Sequence, residues 1–110
     1  MPAWMVQALA GIDNPRYFVK GAAGLVELAC RSPEHVARSV QKFLKKTPSA
    51  VVNEARISYA VKQLSLSTKS IYEIAFDCGF ESIARFYQLF KKQTGMPPKQ
   101  YQNSNRRIVA

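Results

Sequence analysis

Apolar residues recur along this chain at helical spacing, and no stretch shows the strict alternation of a half-buried strand. Trp4 to Ala10 reads as a short first helix, closed by Gly11. Asn14-Pro15 pairs a capping side chain with the residue favoured at the first helical position, which predicts another short turn of helix. From Gly21 to Ala29, the apolar positions Ala22, Leu25, Val26 and Ala29 fall on one face. Ser32-Pro33 repeats the cap-then-proline device and predicts a helix to about Lys45. Pro48-Ser49 opens a long helix ending near Leu66, with Val52, Ala55, Ile57, Ala60, Val61 and Leu64 mostly inward.

Ser70 and Glu73 fit a capping box, in which serine and glutamate satisfy free amides at a helix start. That helix stops at Gly79, a residue suited to the left-handed conformation just past a helix end. Phe80 follows, placed to fold back onto Ile74 or Ala75 and lock the turn. Ser82 then caps a final long helix through about Thr94, which Gly95 and Pro97-Pro98 end; the tail "NSNRRIVA" reads as loose. The pattern predicts an all-α fold of about seven helices, with a tight helix-turn-helix corner at Gly79-Phe80.

The corner occurs twice. Shifted back by fifty residues, Ser82 falls on Ser32, Phe86 on Val36, Phe90 on Val40, Lys92 on Lys42 and Pro98 on Pro48. The preceding helices align with an offset of forty-nine, Ile71 on Ala22, Ile74 on Leu25 and Ala75 on Val26. Two similar modules with a long helix between them follow. The expected organisation is an N-terminal segment with the first module over 1–48, a connecting helix over 49–66, a second module over 67–102 and a flexible tail over 103–110, all one compact unit. Val36, Val40 and Phe43, and in the second copy Phe86, Leu89 and Phe90, are expected to face each module's core.

Charge then suggests a partner. The 110 residues carry 16 Lys+Arg against 7 Asp+Glu, a net +9. Residues 1–37 balance at three basic and three acidic, so the excess lies from Arg38 onward, with thirteen basic and four acidic. Such an excess favours a polyanion, most often nucleic acid, although a solvated surface can carry it too. Cys30 and Cys78 stand alone without metal-ligand spacing, which speaks against zinc and for two buried reduced thiols. No run approaches the roughly 20 apolar residues of a membrane span, and no secretory signal is apparent. The only histidine, His35, has no nucleophile or orienting partner in the pattern, and neither a phosphate loop nor a metal cluster emerges; the reading is of a non-enzyme without cofactor.

The stripe opposite each expected core is Glu34, Ala37, Arg38 and Gln41 in the first copy, and Ala84, Tyr87, Gln88 and Lys91 in the second. Arg38 can grip guanine O6/N7, Gln88 can address adenine N6/N7, and Tyr87 can pack on a thymine methyl or bind phosphate. Lys42, Lys45, Lys46, Lys91 and Lys92 lie along the two helices, with Lys69, Arg85 and Lys99 nearby, as expected of phosphate contacts. The caps at Ser32 and Ser82 bring helix N-termini with free amides to the same task.

The segment "SIYEIAFDCGFESIARFYQLFKKQTGMPPKQY" resembles the second helix-turn-helix signature of AraC/XylS-type transcriptional regulators, and "NEARISYAVKQL" resembles that family's connecting helix. The resemblance spans roughly residues 16–102. It implies double-stranded DNA as partner, read by two helices in successive major-groove segments, with Glu34, Ala37 and Arg38, then Ile83, Ala84, Tyr87 and Gln88 facing bases. It also implies a cytoplasmic, nucleoid-associated bacterial transcription factor that works with RNA polymerase. A small-molecule effector, a sugar by a likeness to chitobiose-type regulators, would act through a sensor domain that this sequence lacks; an excised domain or a short member is expected. This sequence departs from the pattern at Lys45, often glycine, at Val40, often a large aromatic, and at Ala37, often polar. Sequence-specific DNA reading and a non-specific nucleic-acid-binding or protein-interaction module both remain open at this point.

Overall fold

Proline or a capping serine or asparagine starts most of the helices, while the helix Ala22–Ala29 begins after Gly21 without a side-chain cap. The computed structural model describes the backbone of residues 1–109 and the side chains of residues 1–104. Eight helices occur among the described residues: α1 (Ala3–Gly11), α2 (Pro15–Phe18), α3 (Ala22–Ala29), α4 (Pro33–Leu44), α5 (Pro48–Leu66), α6 (Ile71–Asp77), α7 (Ile83–Thr94) and α8 (Pro98–Val109). They divide into two units, Met1–Arg56 and Ile57–Ala110, with the division inside α5.

In the first unit α3 packs against α1, α2 and α4. Met5, Phe18, Leu25, Val36, Val40 and Val52 are each at most 1% exposed and form its centre. Gly24 permits the close approach of α2 and α3: a Cβ there would overlap the Tyr17 carbonyl. Arg56 on α5 donates from Nε to the Phe18 carbonyl at 2.8 Å and from Nη2 to the Val19 carbonyl at 3.3 Å. These bonds tie α5 to the end of α2, where the Phe18 carbonyl also accepts the Gly21 N–H at 3.1 Å.

In the second unit α7 packs against α6 and α8. Ile57, Ala60, Ile74, Cys78, Phe86 and Phe90 are at most 1% exposed. The turn after α6 carries the two bonds of a Schellman cap, Gly79 N–H to Phe76 carbonyl at 2.9 Å and Phe80 N–H to Ala75 carbonyl at 3.1 Å. Gly79 takes φ +93° there. Phe80 is buried, its ring edge-on to Phe86 at 5.3 Å.

The repeat holds to the residue: α4 and α7 are both twelve residues long and offset by fifty, Pro33–Leu44 against Ile83–Thr94. The left-handed caps match as well, but with different residues. Lys45 (φ +58°) stands where the second copy has Gly95 (φ +87°), and Cys30 (φ +53°) where it has Gly79.

Several expectations need correcting. Phe43 is 39% exposed rather than inward, with Lys42 Nζ 5.3 Å above its ring. Leu89 and Val61 are only half-buried. Cys30 is exposed while Cys78 is buried, because Cys30 occupies the turn itself. Residues 103–109, read as loose, continue α8; Ala110 lies outside the described residues. Pro97-Pro98 looked like a stop, yet Pro98 sits at the first position of α8, as Pro48 does in α5, where its missing N–H costs nothing. Tyr101 and Gln102 then anchor α8, the Tyr101 ring edge-on to Phe90 at 5.8 Å and Gln102 buried.

Candidate nucleic-acid interface

Each stripe singled out in the sequence lies opposite a buried ridge. On α4, Val36 and Val40 are 1% exposed, whereas Glu34, Arg38 and Gln41 are exposed and Ala37 is half-buried. On α7, Phe86 and Phe90 are fully buried, whereas Ile83, Ala84, Tyr87 and Gln88 are exposed. Helical periodicity places both sets correctly because residues three and four apart share a face. Within each unit the stripe therefore forms a continuous outward strip of small and hydrogen-bonding side chains.

The caps hold both helices at the same point. Ser32 Oγ accepts the His35 N–H at 3.1 Å, and Ser82 Oγ accepts the Arg85 N–H at 3.2 Å. Their electrostatics differ. The first turn of α4 holds the Glu34 carboxylate, while that of α7 holds no acid. An anion is favoured at the α7 start and opposed by Glu34 at the α4 start.

The expected phosphate residues fall into two groups. Lys42, Lys45, Lys91 and Lys92 are exposed along or just beyond the last turns of α4 and α7. Lys46 and Arg85 are already engaged: Lys46 Nζ lies 2.9 Å from Glu54 Oε1, and Arg85 Nη1 donates to Gln88 Oε1 at 3.0 Å. Lys69, also expected nearby, donates to Asp77 at 2.7 Å. That hydrogen bond, with the charge of Asp77 behind it, holds the Lys69 ammonium above its ordinary 10.5.

The sequence reading missed the side of α4 next to its stripe. Pro2, His35, Arg38, Ser39, Lys42 and Phe43 line an open groove there. The Trp4 ring lies 5.4 Å from that of His35, and the Arg31 guanidinium stands 5.3 Å from the Trp4 ring centre. The signal present in the sequence was Phe43 beside Lys42, an aromatic next to a cation at the edge of the apolar arc. Among the described residues no group of three or more His, Cys, Asp or Glu side chains is arranged to hold a metal. No helix among them is long and apolar enough to cross a membrane.

Comparison with known proteins bears on the family and the fold. A family model described as a helix-turn-helix domain matches residues 25–104. The melibiose operon regulatory protein of Escherichia coli K12 is 39% identical over 61 residues, covering 56% of this chain and 20% of that protein. The xylose operon regulatory protein of Haemophilus influenzae is 41% identical over 70 residues, covering 64% of this chain and 18% of that protein. The chain thus spans about a fifth of the length of these curated relatives. Among solved structures, the xylose-binding transcription activator xylR superposes with a TM-score of 0.77 at 26% identity, covering 96% of this chain and 28% of that one. An AraC-type DNA-binding domain protein from Chromobacterium violaceum superposes with a TM-score of 0.79 over 93% of this chain and 91% of its own; at 19% identity it speaks for the fold alone. With the family match covering most of its length and both corners in place, the chain belongs to the AraC-type helix-turn-helix family.

Proposed function

We propose that this chain is a sequence-specific double-stranded DNA-binding module of a transcription regulator, with α4 and α7 as its reading helices in successive major-groove segments. The observation that carries the reading is the repeat: two twelve-residue helices in the same register, each capped by serine and each with a buried ridge behind an exposed polar stripe. A helix is the element that the major groove admits, and small residues such as Ala37 and Ala84 let its backbone approach the bases. Arg38 serves guanine in the first stripe; Ile83, Ala84, Tyr87 and Gln88 form the second, and Glu34 and Gln41 flank Arg38. Lys42, Lys45, Lys91 and Lys92 supply phosphate contacts; Lys46 and Arg85 reach the backbone after exchanging or sharing their present partners; Ser82 presents a helix start to phosphate, and Ser32 does so less favourably because Glu34 shares its first turn.

The net +9 charge supports a polyanion partner but does not by itself favour sequence choice. The stripes do, because they place hydrogen-bonding tips rather than charge alone. RNA polymerase is the protein partner such a module would act with, in the cytoplasm. An effector, a sugar by likeness to the melibiose and xylose regulators, would be sensed by a further domain.

The test is a selection of duplexes from a random pool, then titration of selected and random duplexes at rising salt. Specific binding survives at salt where random DNA has dissociated; equal affinity for both leaves only a non-specific module. Arg38→Ala weakens binding to the selected site by about 1–3 kcal/mol and relaxes preference at one position, whereas Lys92→Ala weakens all sequences alike.

A further inference from the structure

The residue type of Gln88 suggests adenine, because a carboxamide can accept from N6 and donate to N7 in one plane. Its surroundings on α7 argue otherwise. Arg85, three residues earlier and on the same face, donates from Nη1 to Gln88 Oε1 at 3.0 Å. A guanidinium has five donors and no acceptor, so only the oxygen of the carboxamide can face it. Turning the amide over would set donor against donor. While this bond is formed, the carboxamide is oriented with Oε1 toward Arg85, and the Nε2 amino group remains available to another partner.

We propose that Arg85 sets the base preference of Gln88, and that the pair together favours guanine over adenine. The proposal rests on the reading of α7 as a base-reading helix. With one lone pair of Oε1 engaged, donors dominate the outward edge of the pair: the two Nε2 hydrogens and the remaining guanidinium N–H groups. Guanine offers N7 and O6, both acceptors, to such an edge. Adenine offers one acceptor and an amino group, and that amino group would have to approach the Oε1 lone pair beside a guanidinium cation. The pair is solvent-exposed in the free protein and holds only weakly there. Exclusion of water in a protein–DNA contact strengthens it, since a charge-assisted bond gains most where the dielectric is low. Arg85 retains further N–H groups for a phosphate oxygen, so it can tie the backbone to the base-reading amide. Arg85 is here a positioning residue, acting through Gln88.

The experiment is a selection from a random duplex pool, with base frequencies compared among the full chain, Gln88→Ala, Arg85→Met and Arg85→Lys. Arg85→Met keeps the stem and the backbone N–H that Ser82 caps but removes the donors. The unchanged chain enriches guanine over adenine at one position by on the order of tenfold. Gln88→Ala flattens that position, Arg85→Met turns it toward adenine, and Arg85→Lys, which keeps a donor, retains guanine. Adenine enrichment by the unchanged chain overturns the proposal. So does an Arg85→Met variant that binds all duplexes more weakly with the guanine-to-adenine ratio intact, which would make Arg85 a phosphate contact only. If Gln88→Ala alters no position, the base-reading role of Gln88 fails and the proposal falls with it.

Discussion

Replacing Lys45 by glycine should raise the stability of this protein and lower its affinity for DNA. Lys45 sits just past α4 with φ +58° and ψ +36°, its N–H bonded to the Gln41 carbonyl at 3.1 Å. A side chain in that left-handed region costs about 1.5 kcal/mol, which glycine avoids. Glycine returns about 0.7 kcal/mol through the greater freedom of the unfolded chain. Loss of a cation at the helix end costs about another 0.3 kcal/mol, the low end because the site is exposed. The net gain is about 0.5 kcal/mol. Over the first unit, Met1–Arg56, at about 2.1 cal/mol/K per residue, that raises Tm by about 4 °C. Urea denaturation resolves it as a shift in midpoint at constant slope. Cys30→Gly is the charge-free companion, at φ +53°, with a gain of about 0.8 kcal/mol by the same reasoning and no change in DNA affinity. On DNA, Lys45→Gly should weaken every sequence alike and reduce the slope of log affinity against log salt by about 0.9. A destabilised Lys45→Gly refutes the strain argument. An unchanged salt slope removes Lys45 from the phosphate contacts. The second copy has Gly95 at this point, with φ +87°, so Lys45→Gly gives the first copy the residue that the second already uses there.

Gly24→Ala should cost about 3 kcal/mol, seen as a large drop in thermal midpoint, because the neighbour it meets is the Tyr17 backbone and cannot rotate away. Ser82→Ala removes the cap of α7 and should cost about 1 kcal/mol in denaturant titration, while Ser82→Asn restores most of it. Lys69 titrates above 10.5 because of Asp77, so this exposed pair contributes below that pH and its contribution fades as pH rises through the folded value. Asp77→Asn should return the Lys69 titration, followed by NMR of its side chain, toward 10.5; an unmoved titration would show that the pair is not held in solution.

Local chemistry made much of this protein legible. Ser32, Ser70 and Ser82 each cap the helix that their position predicts, since a cap is a contact between residues three apart and needs no distant partner. The same holds for Asn14, whose side chain accepts the Arg16 N–H at 3.0 Å. The comparison of copies fixed the register of α4 and α7 and would also have revealed α8, because it laid Pro98 on Pro48, the first residue of a long helix. Reading Pro97-Pro98 as a terminator overlooked that parallel.

Other features were not local. Phe43 belongs to the apolar arc of α4 by spacing, yet how much of that arc is covered depends on the neighbouring helices. The pairing of Lys46 with Glu54, eight residues away across the α4–α5 turn, depends on the path of that turn. The bond from Arg85 to Gln88 was at permitted spacing, but many rotamers compete for it, and only the folded surface shows which one is taken.

By itself the sequence determined where each corner begins, which face of each helix is apolar and that the unit is repeated, because these follow from backbone capping and from a period of 3.6 residues. The tertiary structure decided which basic side chains pair with a neighbour, that Gln88 accepts a bond from Arg85 and which residues bear left-handed backbone in place of glycine. Those outcomes depend on neighbours brought together by the folded path of the chain, and one-dimensional spacing carries no record of them.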